Sequence, residues 1–267
     1  MTILVTGATS GVGRQVIRQL LLVGATEVRA LTTNPVKAAL PPEVEVVRGF
    51  IGKPATLPAA FEGVQVMYLA PYPDTVQETV ALAAAAGVQR IVDLSGPPDS
   101  WWHDVAQAVT DSGLGWTHLE PGEFMENATG WADEIRTTGM VRDGYPLSAN
   151  APIAIDDVAA VAAAALLDSR HLGQSYEMTG PETLTRAEMV GLIGAALGRE
   201  IPYLELDHEQ AIAARAPAQG EYARWYVEGM AMLAEHPQQP ATTAADIIDR
   251  PATTFAEWAV ANVQLFR

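Results

Sequence analysis

Ile3-Leu4-Val5-Thr6-Gly7-Ala8-Thr9-Ser10-Gly11-Val12-Gly13-Arg14 is the stretch that decides the fold of this chain. An apolar run ends in a glycine-spaced turn, and residues 15–22 that follow carry leucine, isoleucine and valine at helical spacing. Strand, tight turn and helix in that order make a phosphate cradle. The backbone comes close to the ligand, and the unpaired N–H groups and positive dipole end of the helix face it. Gly7 permits the turn, Gly11 permits the approach, and Gly13 permits close packing of helix on sheet. Thr9, Ser10, Val12 and Arg14 share the turn and are expected to contact the same ligand, a dinucleotide pyrophosphate.

Working outward, apolar strands and amphipathic helices alternate. Strands are expected near 2–6, 27–32, 44–48, 64–70, 90–95 and 115–119, with helices near 12–23, 75–86 and 103–112. This alternation predicts an α/β protein with a Rossmann-type parallel sheet and helices on both faces. Beyond about residue 125, prolines 146, 152, 181 and 202 separate helical pieces near 156–168, 185–197, 207–216 and 220–235. The division expected is a dinucleotide-binding domain over 1–130, to which a strand near 175–179 returns, and a mainly substrate-binding lobe over 131–267. The segment 216–220, Ala-Pro-Ala-Gln-Gly, is expected to be a hinge.

Composition narrows the function. Of 267 residues, 49% are hydrophobic and 18% charged, enough apolar material for a sizeable core. The formal charge is −16, from 32 acidic against 16 basic residues, and a field of that sign repels phosphodiester backbones, so no nucleic-acid partner is expected. Cysteine is absent, which removes disulfides and thiolate chemistry. No apolar run reaches membrane-spanning length, and Met1 leads directly into a strand, so a cytoplasmic protein without membrane attachment is expected. The histidines lack metal-ligand spacing, and no metal is expected.

The spacing T-G-x-x-x-G-x-G at 6–13 resembles the cofactor signature of short-chain dehydrogenase/reductases. Later segments are similar to the atypical, NmrA-like branch of that superfamily: 64–71 (VQVMYLAP), 90–95 (RIVDLS), 112–127 (SGLGWTHLEPGEFMEN), 155–159 (IDDVA), 176–181 (YEMTGP) and 254–258 (TFAEW). The resemblance runs almost end to end. The same fold carries reductases, epimerases and redox-sensing regulators, so it does not by itself decide the activity.

In this family a nicotinamide cofactor is expected. An NAD-preferring chain usually places a carboxylate about 20 residues past the glycines to hold the ribose 2′-hydroxyl. Here the position reads Ala30-Leu31-Thr32-Thr33-Asn34. Without that carboxylate a 2′-phosphate is not repelled, and Thr32, Thr33, Asn34, Arg14 and Lys37 offer it partners. NADP(H) is therefore favoured, with NAD(H) use still open. The Asp that usually follows the third strand is missing; Phe50 and Ile51 are expected to hold adenine by apolar contact. The resemblance places Ala70, Pro71 and Tyr72 along the ribose and nicotinamide, and Pro121, Gly122 and Phe124 under the nicotinamide ring.

Most of the superfamily reduces ketones with a Ser and a Tyr-x-x-x-Lys pair. Ser95 stands in the serine position, but 100–109 reads SWWHDVAQAV, with neither tyrosine nor lysine. The standard proton relay is absent. The proton must come from His103, the titratable group at that position, from Ser95, or from a phenol on the substrate itself. His103 also reads as an ordinary first-turn surface residue. Trp101, Trp102 and Met125 come from segments that surround the nicotinamide in relatives, and Tyr222, Trp225 and Tyr226 share a helical stripe that reads either as core or as ligand box. The activity expected is NAD(P)H-dependent reduction of a ketone in a bulky aromatic or polyketide-like molecule, as in antibiotic-pathway ketoreductases that lack the Tyr-Lys pair. A quinone reductase and a non-catalytic NADP(H)-sensing regulator are the alternatives. Oligomeric state is left open.

Overall fold

Apolar residues 3–5 are fully buried, and in the computed structural model they form the first of the strands that carry the site. The structure describes residues 1–98, 100 and 102–267. In chain order the first elements are β1 (Thr2–Val5), α1 (Gly11–Leu22), β2 (Val28–Thr32), β3 (Glu45–Arg48), α2 (Pro58–Phe61), β4 (Val64–Leu69), α3 (Val76–Ala85), β5 (Arg90–Leu94), α4 (His103–Asp111) and β6 (Gly115–Pro121). They continue through α5 (Ala132–Thr138), β7 (Val141–Gly144), β8 (Ala149–Asn150), α6 (Ile155–Leu167), β9 (Gln174–Met178), β10 (Leu184–Thr185), α7 (Arg186–Leu197) and β11 (Tyr203–Leu206). The last are α8 (His208–Gln219), α9 (Tyr222–Glu235), α10 (Thr243–Ile248) and α11 (Phe255–Ala261).

The chain divides into two compact units. The first comprises 1–121, 155–178 and 243–250; the second comprises 122–154, 179–242 and 251–267. The division thus falls at 121 rather than at 130. Residues 155–174 and 243–250, expected in the substrate lobe, belong with the sheet. The reason is packing: α6 lies on α1, and its small buried residues Ala159, Ala162 and Ala163 let the two helices approach. Asp157 of α6, fully buried, pairs with Arg250 at 2.7 Å and holds the 243–250 segment in the same unit.

In the first unit, seven parallel strands run in the order β3-β2-β1-β4-β5-β6-β9. The direction of winding reverses between β1 and β4, so the loops after these two strands splay apart and leave a ligand crevice at their carboxyl ends. Alternate residues of the strands face opposite layers. Leu4, Leu31, Met67, Leu69 and Ile91 pack with Val105 and Val109 of α4 and with Phe61 of α2.

The second unit is held by Met125, Ile135, Val190, Ile193, Phe255, Trp258 and Phe266. It has two small two-stranded sheets that the strand pattern did not reveal, β7 with β11 in parallel and β8 with β10 antiparallel. Strands of two to four residues are too short to show an alternation. Helix α7 begins with a capping box between Thr185 and Glu188, each satisfying the other's backbone N–H, and stops at Gly198 with φ +71°. The segment 216–219 is no hinge loop: it forms the last turn of α8, which contains Pro217 and ends at Gly220.

Candidate active site

The turn after β1 has the geometry that a pyrophosphate requires. Gly7 adopts φ +57°. A Cβ on Gly13 would stand 2.2 Å from the Gly7 carbonyl oxygen and 2.8 Å from its carbon, so helix and turn touch backbone to backbone there. Ser10 caps α1 by accepting from Gly13 N at 3.1 Å, and its own N–H donates to Gly7 O at 2.8 Å. The hydroxyl of Thr6 accepts from Ala70 N at 2.8 Å and ties β1 to the end of β4 across the point of reversal. Thr9, Ser10 and Gly11 are exposed, and the first turn of α1 contains no acidic residue to compete with a phosphate. The N–H groups of Gly11 and Val12 precede any helical acceptor and remain for a ligand. This turn fits a dinucleotide.

The structure sorts the expected adenosine contacts. Thr33 and Asn34 are exposed beside Lys37. Thr32 is buried, and its hydroxyl accepts from Asn34 N at 3.3 Å; Asn34 caps the short turn at 35–37. Arg14 spends its guanidinium on backbone carbonyls, donating to Ala38 O at 2.8 Å, Ala39 O at 3.1 Å and Thr9 O at 3.3 Å. Its role is to clamp the 38–39 loop to the turn. Phe50 and Tyr72 meet edge to face with centroids 5.3 Å apart, a half-buried aromatic wall after β3 and β4. Ile51 does not join them. It is buried in the core with Leu4 and Leu57, because its carbonyl is drawn inward by the hydroxyls of Thr75 (2.7 Å) and Thr79 (3.3 Å). Ala70 and Pro71 are half-buried at the end of β4, and Pro121 closes β6 beside Met178.

At the ends of β5 and β6 lies a polar cluster that the motif reading covered only in part. Ser95 is fully buried, and its hydroxyl faces the Asp93 carboxyl, which it helps to hold down, without a hydrogen bond of ordinary geometry among the described residues. Two residues earlier, on the same face of β5, Asp93 is also fully buried and receives His118 Nδ1 on Oδ2 at 2.7 Å. His118 stacks on Trp116 with centroids 4.1 Å apart, and its Nε2 meets Thr110 Oγ1 of α4 at 3.0 Å. Burial pushes the Asp93 carboxyl above its ordinary range, opposed by the bond and charge of His118. Burial, and then the charge of Asp93, raise the neighbouring Tyr68 phenol, which has no hydrogen-bond partner among the described residues. His103 opens α4 half-buried, with Nδ1 lacking a hydrogen bond among the described residues. Glu120, half-buried on β6, is raised by burial and feels the charges of His118, Asp93 and His103 together. Trp102 is half-buried at the start of α4; Trp101 lies outside the described residues.

The second unit contains a cavity of about 820 Å³. Phe124 and Met125 line it, along with Tyr226, so three expected contacts are brought together. Gly122 sits against Gln238 in the same unit. Tyr222 and Trp225 stay outside: they are 58% and 65% exposed. Helix α9 buries Ala223, Val227 and Met230 against Ala211, which turns 222 and 225 away from the cavity. Of the stripe, Tyr226 reaches the cavity, whereas Tyr222 and Trp225 face outward. The cavity's charged residues gave no sequence signal. Asp143 Oδ2 accepts from Trp131 Nε1 at 3.0 Å, Arg186 Nη2 at 2.5 Å and Arg215 Nη2 at 2.6 Å. Although burial works against it, the two guanidinium groups hold the Asp143 carboxyl below the usual range. Tyr226 donates to Glu123 Oε1 at 2.7 Å, and its phenol is pushed up to about 12 by burial and then by the Glu123 charge.

Comparison with known proteins agrees with this geometry. Residues 7–169 match the family described as NAD(P)H-binding. The chain is 36% identical to the (4-alkanoyl-5-oxo-2,5-dihydrofuran-3-yl)methyl phosphate reductase of Streptomyces griseus subsp. griseus, over 99% of each chain. It is 35% identical to the NAD(P)H azoreductase of Xenophilus azovorans, again over 99% of each. Its structure superposes on that of the NADPH-dependent quinone oxidoreductase of Escherichia coli with a TM-score of 0.85 and 25% identity, covering 97% of this chain and 99% of that one. The chain belongs to the NAD(P)H-binding family of atypical short-chain dehydrogenase/reductase fold. It is an NAD(P)H-dependent oxidoreductase, the class to which turn and relatives both point. Among the described residues no helix is long and apolar enough to cross a membrane.

Proposed function

We propose that this oxidoreductase reduces a ketone conjugated to a bulky, flat ring system, with NADPH favoured over NADH. The observation that carries the reading is the conjunction of an intact dinucleotide turn with a buried Ser95 hydroxyl, left without a hydrogen bond of ordinary geometry among the described residues, and no Tyr-Lys pair. A bound nicotinamide supplies the hydride, the step for which the protein need contribute position only. The chain holds the cofactor through the 7–13 turn, Thr33, Asn34 and the Phe50–Tyr72 wall, with Pro121, Gly122 and Phe124 at the nicotinamide end. Ser95 donates to the carbonyl oxygen as negative charge grows there. His103, or a phenol on the substrate, delivers the proton. The cavity of the second unit, lined by Met125, Trp131 and Tyr226, has the size and aromatic lining to take the body of such a molecule.

The relatives support a conjugated acceptor, being named for an oxo-dihydrofuran phosphate ester and for azo compounds. A quinone is the second reading, favoured by the quinone oxidoreductase among the similar structures; quinones need hydride geometry but less help from an acid. Polyketide-type ketones from antibiotic pathways belong in the same test. Supplied with NADPH and a panel of polycyclic ketones, quinones and azo dyes, the protein is expected to consume the reduced-nicotinamide absorbance with the ketones. Turnover confined to quinones favours the second reading. No turnover with any of them, despite measured cofactor binding, overturns both in favour of a cofactor-sensing role.

A further inference from the structure

We propose that Arg186 and Arg215 form an anion subsite in the cavity of the second unit, which takes a phosphate ester or carboxylate carried by the substrate. The inference rests on the cavity being the substrate's, as proposed above, and extends it by naming a charged group on the molecule bound.

Charge balance is the first argument. Both arginines are paired to one carboxylate, Asp143, so within this largely buried three-residue cluster the positive charges outnumber the negative by one. The Arg186 side chain is 7% exposed and that of Arg215 is 17% exposed. A buried charge without a counterion is costly, and an anion removes the cost. Of the other lining carboxylates, Glu134 pairs with Arg142 and Asp133 with Arg136, while Glu123 and Glu126 keep their charge, bonded by the neutral Tyr226 hydroxyl and by Trp258 Nε1 at 3.1 Å, so they confine an incoming anion to the arginine forks.

Donor count is the second argument. Asp143 has no lone pair to spare, since Oδ2 takes three donors and Oδ1 accepts from Gly144 N at 2.9 Å. Each arginine gives it a single Nη2. Both Nε atoms are buried without a partner among the described residues, and Arg186 also neighbours the Tyr203 hydroxyl. Beside them Gln219 Oε1 is a buried acceptor, equally unpartnered. Two cationic forks and one acceptor match a phosphate monoester that keeps its proton, or a carboxylate using the forks alone.

Orientation is the third. Arg186 lies over the Trp131 ring at 4.8 Å, and Arg215 lies over Tyr226 at 4.5 Å. Stacking fixes both guanidinium planes before any ligand arrives, so little entropy is lost on binding.

The test is calorimetric titration of the NADPH-saturated protein, in which the dinucleotide occupies its own phosphate contacts, with phenyl phosphate, benzoate and phenol. Phenyl phosphate is expected to bind at least tenfold more tightly than phenol. R215M should erase that preference and leave NADPH affinity within twofold, and Q219L should weaken phenyl phosphate a few-fold while sparing benzoate. Benzoate binding as tightly as phenyl phosphate assigns the subsite to carboxylates. Equal binding of phenyl phosphate and phenol overturns the proposal, as does a preference that survives R215M. Should R215M fail to fold by circular dichroism, the wild-type ratio and Q219L decide. Carbonyl reduction is measured separately, so its failure would sink the function proposed above without touching these heats.

Discussion

The two units bind by opposite means. In the first, the cofactor turn relies on backbone: Gly7, Gly11 and Gly13 present N–H groups and bare surface, and hardly any side chain is committed. In the second, the cavity relies on long polar side chains drawn from β7, α7 and α8, with Asp143 linked to partners 43 and 72 residues away. A backbone site is written in a short contiguous stretch and tolerates no added atom. A side-chain site is assembled over distance and can be retuned one residue at a time. This is how one cofactor fold comes to accept many substrates.

Substitutions can break that contrast, beginning with the largest effect. Gly13→Val should abolish NADPH binding, because its Cβ would meet the Gly7 carbonyl at 2.2 Å and force turn and helix apart. Loss of heat in calorimetry, with helical content retained by circular dichroism, is the expected result. Asp143→Ala should leave NADPH affinity intact but destabilise the protein by about 3–5 kcal/mol in urea unfolding, since Arg186 and Arg215 lose the carboxylate they share. The same pair predicts a pH response. With the carboxyl of Asp143 held below its unfolded value, its contribution to stability is present above about pH 4 and is lost as pH falls through the folded value. An acid titration of the Asp143→Ala variant should lack that component.

Ser95→Ala comes next. It should lower kcat roughly 10²-fold, the scale for removing one donor to a developing oxyanion, without changing NADPH affinity. An unaltered kcat would shift the oxyanion role to another group, with His103→Gln the next variant to measure. Smallest of all, Thr185→Ala should cost about 1 kcal/mol of stability through loss of the α7 cap. It should leave both binding sites unchanged.

Legibility in the sequence follows the same contrast. The seven-stranded sheet could be read because its strands are continuous apolar runs and its first turn is punctuated by glycine. The Phe50–Tyr72 wall was half legible, since each residue follows a strand; that Ile51 turns inward depends on the hydroxyls of Thr75 and Thr79, over twenty residues on. Tyr222 and Trp225 misled because hydrophobicity alone does not say which side of α9 meets α8. The buried face is set by Ala211 packing with Val227 and Met230, and of the aromatic residues of α9 only Tyr226 reaches that cluster. Asp143, Arg186 and Arg215 were invisible, since a charged residue in a variable lobe has the pattern of solvated surface until its partners are in place. The His118–Asp93 pair, side by side on adjacent strands, was hidden because β5 and β6 become neighbours only once the sheet order is known.

The account centres on direct hydride delivery to a carbonyl carbon without a tyrosine donor. The most direct test uses NADPH deuterated at the transferable position of its nicotinamide, with a polycyclic ketone that the protein turns over. Deuterium on the carbinol carbon of the product, retained in full when Ser95→Ala slows the reaction, is the predicted result. Product alcohol without deuterium, at matched cofactor consumption, would contradict it.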